Sequence, residues 1–372
     1  MQTAKEIFLE MLKPDAQPER QLKQYEALHM CLYDPINAYL RGNRKRGTIS
    51  VDRWGTTISF PEDAPGAMPL NHGDMAVCRD ITRWRETVHA PDIESACTEG
   101  WDECRRKARA AAGNEQLVAG FMGTGIFEQC HFLMGFEPTL TNLYEHPDEM
   151  HELIEYITEY RLRYVKMLID NLQPDVIFSH DDWGTKDALF MKPDMWREFF
   201  KEPYRRFYGY IRSRGCIAVH HADSYLVPIV DDMAEIGIQV WQGTLPENDI
   251  PAFIYDPVTV DEMIPLAKYT GIPEMRRRSL GHNLNMRAMA HRYAADSGKK
   301  FEDVTVITVH MGGGTTVGVY QNGKIIDIIN DEEGPFSPER AGGLPAPQGI
   351  DMAFSGEYDI KALKKKLKNK IG

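Results

Sequence analysis

The reading of the fold turns on Asp175-Val176-Ile177-Phe178-Ser179-His180-Asp181-Asp182-Trp183-Gly184. The apolar run Val176 to Phe178 follows Pro174 and hands over to four polar side chains, as a short buried strand does where it ends in a loop. The arrangement returns at Ile217-Ala218-Val219, which leads into His220-His221-Ala222-Asp223-Ser224-Tyr225, and at Ile238-Gln239-Val240-Trp241 ahead of Gln242-Gly243. Helical patterns lie between, from about Asp194 to Arg212 and through Asp231-Asp232-Met233. Strand, helix, strand, helix, strand with crossovers of this length predicts parallel pairing in an α/β fold. In such folds, polar residues at the C-terminal ends of strands build the active site. His180, Asp181, Asp182, His221, Asp223, Gln242 and Gly243 all fall at such ends. A single Asp or Ser there reads as the cap of the next helix, which is the reading given to Asp194 and Ser224. Three successive ends carrying His, Asp or Gln read as a site.

Working outward, the clearest helix runs from Pro147 to about Asp170. Met150, Leu153, Ile154, Ile157, Leu162, Val165, Leu168 and Ile169 recur mostly at helical spacing, Arg161 breaks the stripe, and Pro147 suits the first turn. The chain opens on another helix: Thr3 and Glu6 form a capping box, Ile7, Phe8, Met11 and Leu12 an apolar stripe, and Pro14 the stop. Residues 41–75 are turn-rich, with Trp54-Gly55 expected inside a strand pair. From there to residue 112 the pattern is helical, including a helix over Asp92 to Ala111.

At 372 residues the chain has room for two domains, or for a barrel with an appendage. Its net charge of −12 excludes a general nucleic-acid binder, because no basic surplus exists to neutralise phosphates. The basic clusters Arg41 to Arg46 and Lys361 to Lys370 read as solvated faces. No apolar run reaches the ~18 residues of a membrane helix, and Lys5, Glu6 and Glu10 interrupt any signal-peptide core. Cys31, Cys78, Cys97, Cys104, Cys130 and Cys216 show no C-x-x-C spacing, so reduced thiols in a cytoplasmic enzyme are expected.

Four stretches occur in order: Asn142-Leu143-Tyr144-Glu145-His146-Pro147-Asp148, Asp181-Asp182-Trp183-Gly184, Leu189-Phe190-Met191-Lys192-Pro193, and Gly237-Ile238-Gln239-Val240-Trp241-Gln242-Gly243. Through them the first part of the chain resembles the uroporphyrinogen decarboxylase superfamily, whose members adopt a (β/α)8, or TIM, barrel. That superfamily holds decarboxylases and cobalamin-dependent methyltransferases, so the resemblance alone leaves the reaction open. The decarboxylases carry an arginine-rich M-R-Q-A-G-R-Y segment for porphyrinogen carboxylates, which has no counterpart here. The resemblance therefore implies methyl transfer involving a corrinoid, small-molecule substrates and a corrinoid protein as partner. Thiol-methylating members hold zinc with a His-x-Cys pair and a later Cys. The matching pair here is His221 and Asp223, with no later Cys. Two ligands make no zinc site; Glu128 or His180 could supply a third. The group His221, Asp223, Asp181 and Asp182 is expected to bind a metal or to do acid/base work on a small methylated substrate. The alternative is a hydrogen-bonded polar cluster in an inactive barrel.

After Pro251 the pattern changes. Val304 to Val309 reads as a strand, Val309-His310-Met311-Gly312-Gly313-Gly314-Thr315-Thr316 as a glycine-rich turn with exposed N–H groups, and Thr316 to Tyr320 as the returning strand. Asn322-Gly323 is a two-residue hairpin turn into Lys324 to Ile329. Further stretches are Asp256-Pro257-Val258-Thr259-Val260-Asp261-Glu262-Met263, Arg277-Arg278-Ser279-Leu280-Gly281-His282-Asn283-Leu284-Asn285, and Glu333 to Pro345. With them this part resembles butyrate kinase, of the acetate kinase and actin-like ATPase group. The resemblance implies that His282 and His310 line a phosphoryl-transfer site, that Gly312, Gly313, Gly314 and Thr315 hold phosphate, and that Arg340 steadies transferring charge. ATP and magnesium would be the cofactors.

A complete barrel takes about 250 residues or more; this one is expected to stop at Pro251 without its last strand and helix. The kinase-like portion is expected to lack its first domain and the part that would hold adenosine. The seam falls within Pro246 to Asp256, with no Gly/Ser linker. The expected architecture is α/β: an incomplete TIM barrel over 1–250, followed by a fragment of an actin-like ATPase (acetate/butyrate kinase) domain over 251–372. Three functions are in view. The first is methyl transfer by the barrel, the second an ATP-dependent butyrate kinase activity, and the third a non-catalytic chimera of two truncated enzymes. Oligomeric state and methyl donor are left open.

Overall fold

The computed structural model describes residues 2–13, 15–18, 20, 22, 25–42, 44–64, 66–248 and 259–368. The chain divides into two compact units, Met1–Ala252 and Phe253–Gly372. From residue 249 onward, the expected seam lies outside the described residues.

The first unit contains strands β1 (Leu28–Cys31), β2 (Thr48–Val51), β3 (Thr57–Phe60), β4 (Met68–Leu70), β5 (Leu117–Met122), β6 (Val176–His180), β7 (Ile217–His221) and β8 (Val240–Gln242). Five of them form one all-parallel sheet in the order β1-β5-β6-β7-β8. Alternation along the strands sorts the two faces. Val118, Ile177 and Ala218 join the large core under the helices, whereas Leu28, Leu117, Ala119, Val176, Phe178 and Val219 form a smaller cluster on the other face. The sheet is open, with β1 and β8 as its edges, so the barrel does not close among the described residues. The three predicted parallel strands are joined by two more, β1 and β5.

The predicted long helix spans Pro147–Leu172, and Thr3 and Glu6 form the expected capping box ahead of Ala4–Met11. Two local expectations are corrected and a third is refined. The helix over Asp92 to Ala111 is two helices, Ile93–Ala96 and Trp101–Ala112, because Gly100 between them takes the left-handed φ of +83°. The stretch from Asp194 to Arg212 is interrupted by a wider π turn over Arg197–Lys201, just before Pro203, which has no N–H to donate to a regular ladder. Trp54-Gly55 sits inside the strand pair β2–β3 as expected, but in its turn rather than on a strand, where the Asp52 carboxylate accepts from the N–H groups of Trp54 and Thr56.

The second unit is built on the antiparallel strands β9 (Thr305–Met311), β10 (Thr315–Gln321) and β11 (Lys324–Ile329), in the order β11-β10-β9. Asn322 and Gly323, with φ of 52° and 74°, close the predicted hairpin. Met286, Ala290 and Ala294 of the helix Asn283–Asp296 pack with Phe301, Tyr320, Ile325 and Ile328. Among the described residues no helix is long and apolar enough to cross a membrane. All six cysteines are buried and free of disulfides.

Asp34 caps the helix Pro35–Arg41 by accepting from the N–H groups of Ile36 and Asn37, yet it has no solvent exposure. Burial outweighs those bonds and lifts its carboxyl from 3.8 to about 6. A carboxyl raised on folding destabilises the native state above the folded value, and the penalty fades as pH falls toward the unfolded value. Asp34→Asn keeps the cap and removes the charge. Urea unfolding should find it more stable than the parent by up to about 3 kcal/mol above pH 6, with the gap closing toward pH 4. Asp34→Ala should instead lose about 1 kcal/mol relative to Asp34→Asn at every pH.

Candidate functional site

The strand ends of the first unit are organised by Asp181, which is fully buried just beyond β6. Its carboxylate accepts from the backbone N–H groups of Phe127 (3.0 Å) and Glu128 (2.9 Å) and from the Tyr204 hydroxyl. The two N–H groups belong to the first turn of the helix Ile126–Met134 that follows β5, where unpaired donors favour an anion. Tyr204 also takes the N–H of Ile126 at 2.9 Å. Burial, with the Glu128 charge adding to it, pushes the Asp181 carboxyl well above the usual range. The fit is tight at the helix N-cap, where a Cβ on Gly125 would overlap the Asp181 carboxyl.

Anchoring that turn brings Glu128 against His180. One oxygen of Glu128 accepts from the N–H of Gly125 at 3.2 Å and from His180 Nδ1 at 2.9 Å. Burial of the His180 ring opposes its charge, but the bond and charge of Glu128, reinforced by Asp182 and Asp181, push its pKa up to about 9. Asp182 turns to the same place while its Oδ1 accepts from the N–H of Asp223 at 2.8 Å, and burial raises its carboxyl as well. Glu128, His180 and Asp182 each offer a ligand atom within 4.8 Å of the others. One nitrogen and two carboxylates from three positions suit a divalent cation such as zinc with a coordination position left open, so the donor set fits a metal.

The β6–β7 register pairs His180 with His221, and their rings stack at 4.6 Å. Gln242 bonds His221 Nδ1, while His221 Nε2 lies 3.8 Å from Asp223. His221 and Asp223 thus stand beside the trio, with the Asp223 side chain exposed. His220 points to the opposite face. It is buried against Trp183, with ring centroids 4.1 Å apart, and hydrogen-bonds the Tyr208 hydroxyl at 2.7 Å. Burial holds it well below the ordinary histidine range, as a core residue.

In the second unit His282 and His310 stack nearly parallel at 4.0 Å, with His282 Nδ1 bonded to Thr316 Oγ1 at 2.9 Å and His310 Nδ1 to Asn285 at 2.8 Å. Burial, then repulsion from His310, lowers the pKa of His282. Gly312, Gly313 and Gly314 form the tight turn from β9 into Thr315 at the start of β10, closed by the Gly312 N–H on the Gly314 carbonyl at 3.0 Å. The carboxylates of Asp331 and Glu339 press on this turn, and Arg340 Nε donates to Asp331 at 2.9 Å. A phosphate here would meet acids as well as N–H groups, an arrangement that calls for a cation between them.

Two residues read as helix caps have other tasks. Asp194 makes no cap and pairs with Arg197 at 2.9 Å, and the buried Ser224 donates to the Gly184 carbonyl at 3.0 Å. The sequence reading did not single out Gly125 or Tyr204. The run Leu117 to Met122, ended by Gly123-Thr124-Gly125, carries the same strand-to-loop pattern as 176–184 and would have pointed there.

The sequence model of the uroporphyrinogen decarboxylase (URO-D) family matches residues 54–248, more than half of the chain. Over the C-terminal part the chain is 50% identical across 128 residues to a probable butyrate kinase of Phocaeicola vulgatus, and 45% identical across 128 residues to butyrate kinase 1 of Clostridium acetobutylicum. Each match covers 34% of this chain and 36% of the relative, so the chain spans little more than a third of those kinases. Among solved structures, a methyltransferase from Methanosarcina mazei aligns with a TM-score of 0.38 at 18% identity, over 57% of this chain and 63% of that one.

The Asp181 anchor is testable through Gly125. Gly125→Ala forces the carboxyl and helix apart and should lower the unfolding free energy by about 3 kcal/mol, at the upper end for overpacking. Gly113→Ala, which meets nothing within 4 Å at its Cβ but has a left-handed φ of +53°, should cost only about 1 kcal/mol. Thermal unfolding of the two variants checks the ordering.

Proposed function

The chain belongs to the uroporphyrinogen decarboxylase family, and we propose that its first unit transfers a methyl group from a small methylated substrate to a corrinoid rather than decarboxylating a porphyrinogen. The observation that carries the reading is the trio Glu128, His180 and Asp182, whose mixed donors converge at the C-terminal strand ends. Absence of the arginine-rich porphyrinogen segment supports it from the other side. Glu128, His180 and Asp182 would hold a zinc ion, which when bound would supply Lewis-acid activation of the heteroatom that carries the methyl group. The protein's own part is positional. Glu128 fixes the His180 ring through Nδ1, Gln242 fixes His221 beside it, and Asp181 sets the distance between β6 and the helix that supplies Glu128. We assign the corrinoid to a partner protein, since the neighbouring cavity of about 620 Å³ is sized for a small molecule.

A second reading concerns the other unit. Identity of 50% with a protein named as a probable butyrate kinase favours a carboxylate kinase origin, with His282, His310, Arg340 and the turn at Gly312 to Gly314 around the transferred phosphoryl group, and ATP with magnesium as cofactors. Because the match spans 36% of that relative, a catalytically silent fusion is the competing outcome.

Metal analysis of the purified full chain should find about one zinc per chain, lost in Glu128→Gln and in His180→Gln. A metal-free protein contradicts the zinc assignment. Consumption of cob(I)alamin with methyl ethers, methylamines or methyl thioethers should appear in the parent and fall at least about a hundredfold in the same variants. Release of carbon dioxide from uroporphyrinogen would overturn the methyl-transfer reading. Butyryl phosphate formation from ATP and butyrate would establish the second reading for the C-terminal unit.

A further inference from the structure

Arg161, which interrupts the apolar stripe of the helix Pro147–Leu172, is only 2% exposed. Its Nη atoms donate to the Thr124 and Gly123 carbonyls and, at 2.9 Å, to the Ser179 hydroxyl, and its guanidinium lies over the Phe207 ring. All of these partners are neutral, and its Nε donates to nothing. A buried cation whose hydrogen bonds all go to neutral groups is costly, and the charges of Asp181 and Glu128 reach Arg161 only through space, so an anion in direct contact would stabilise it.

Such an anion has room. Arg161 lines the cavity of about 620 Å³ at the ends of β1, β5 and β6, together with Arg41 and Arg44. These two belong to the basic cluster that the sequence assigns to solvent. Arg41 is exposed, whereas Arg44 is half-buried and its Nε has no partner. Against three guanidinium groups stands one carboxylate among the described lining residues, Asp52, whose Oδ1 takes two backbone N–H groups and whose charge acts on Arg44. In a chain of net charge −12 this is a local inversion of sign. Two further buried donors on the wall, the Tyr160 hydroxyl and Gln129 Nε2, are also unpartnered. Apart from Asn37 and Thr124, the rest of the wall is mainly apolar or aromatic, with Phe121, Phe178 and Trp54 among it. Phe178 also packs against the His221 ring at 6.1 Å, which sets the cavity beside the strand-end trio.

We infer that this cavity binds a small organic carboxylate with an aromatic or apolar body, its carboxylate held by Arg161 and Arg44 with Tyr160 and Gln129. Guanidinium groups take carboxylate and phosphate alike, and it is the apolar and aromatic part of the wall that favours an organic carboxylate over inorganic phosphate. The inference names the substrate class of the enzyme proposed above and rests on that reading for its catalytic meaning, but binding needs no turnover, so the two can fail separately.

The test is calorimetric titration of the full chain with benzoate, 3-phenylpropionate, benzyl alcohol and inorganic phosphate. One of the two carboxylates should bind at least about tenfold more tightly than benzyl alcohol, the scale of one charge-assisted hydrogen bond, with phosphate weaker still. Arg161→Gln should abolish binding. Because that variant alters a buried group, Arg44→Gln and Tyr160→Phe serve as milder probes, each weakening the carboxylate about tenfold while the ligand-free unfolding temperature stays near that of the parent. Equal binding of benzoate and benzyl alcohol, phosphate binding at least as tight as the carboxylates, or no carboxylate binding at millimolar concentration would overturn the inference.

Discussion

A buried carboxylate that ties one strand end to the start of the neighbouring helix is the constraint on which the first unit's chemistry depends. Asp181 has no water to solvate it, so its oxygens take the N–H groups of Phe127 and Glu128 and the hydroxyl of Tyr204. Satisfying that acid places the helix Ile126–Met134, and the placement aims Glu128 at His180. Breaking one partner of such a buried group costs more than the pair itself contributes, because the remaining polar group stays buried without a partner. The arrangement is therefore all or none, and Gly125 is the position at which it leaves no space for a side chain.

Parallel pairing then supplies the second dimension. The register that sets His180 beside His221 stacks two imidazoles at adjacent strand ends, and alternation sends His220 into the core instead. Two neighbouring histidines in sequence thus have opposite fates. The same alternation gives β6 one face toward the helices and another, through Phe178, toward the cavity that Arg161 also lines.

Much of this was legible in the sequence because strand ends have a simple grammar of short apolar runs followed by polar residues. That grammar identified β6, β7 and β8 and the residues His180, Asp181, Asp182 and His221 at their ends. It did not identify β1 and β5, since Leu28 to Cys31 contains His29 and Leu117 to Met122 ends in glycines and a threonine rather than in His or Asp. Arg161 looked like a flaw in an amphipathic stripe, and Arg44 looked as solvated as its exposed neighbour Arg41, because periodicity records which face a residue occupies and not what lies opposite it. The second unit was read largely through its turns. Gly312 to Gly314 and Asn322-Gly323 lie where the pattern put them, but the acids Asp331 and Glu339 against the glycine turn come from distant positions that no local pattern links. Along β9, Ile307, Val309 and Met311 remain exposed on an edge strand, a surface of the kind that another element covers.

The account stands or falls on the trio at the ends of β6 and the helix Ile126–Met134. Anomalous X-ray diffraction from crystals of the full chain grown with zinc tests it most directly. The account predicts a single strong peak bonded to Glu128, His180 and Asp182, with Asp181 still holding the helix turn. A peak on His221 and Asp223 instead, or no peak near these strand ends, would contradict it.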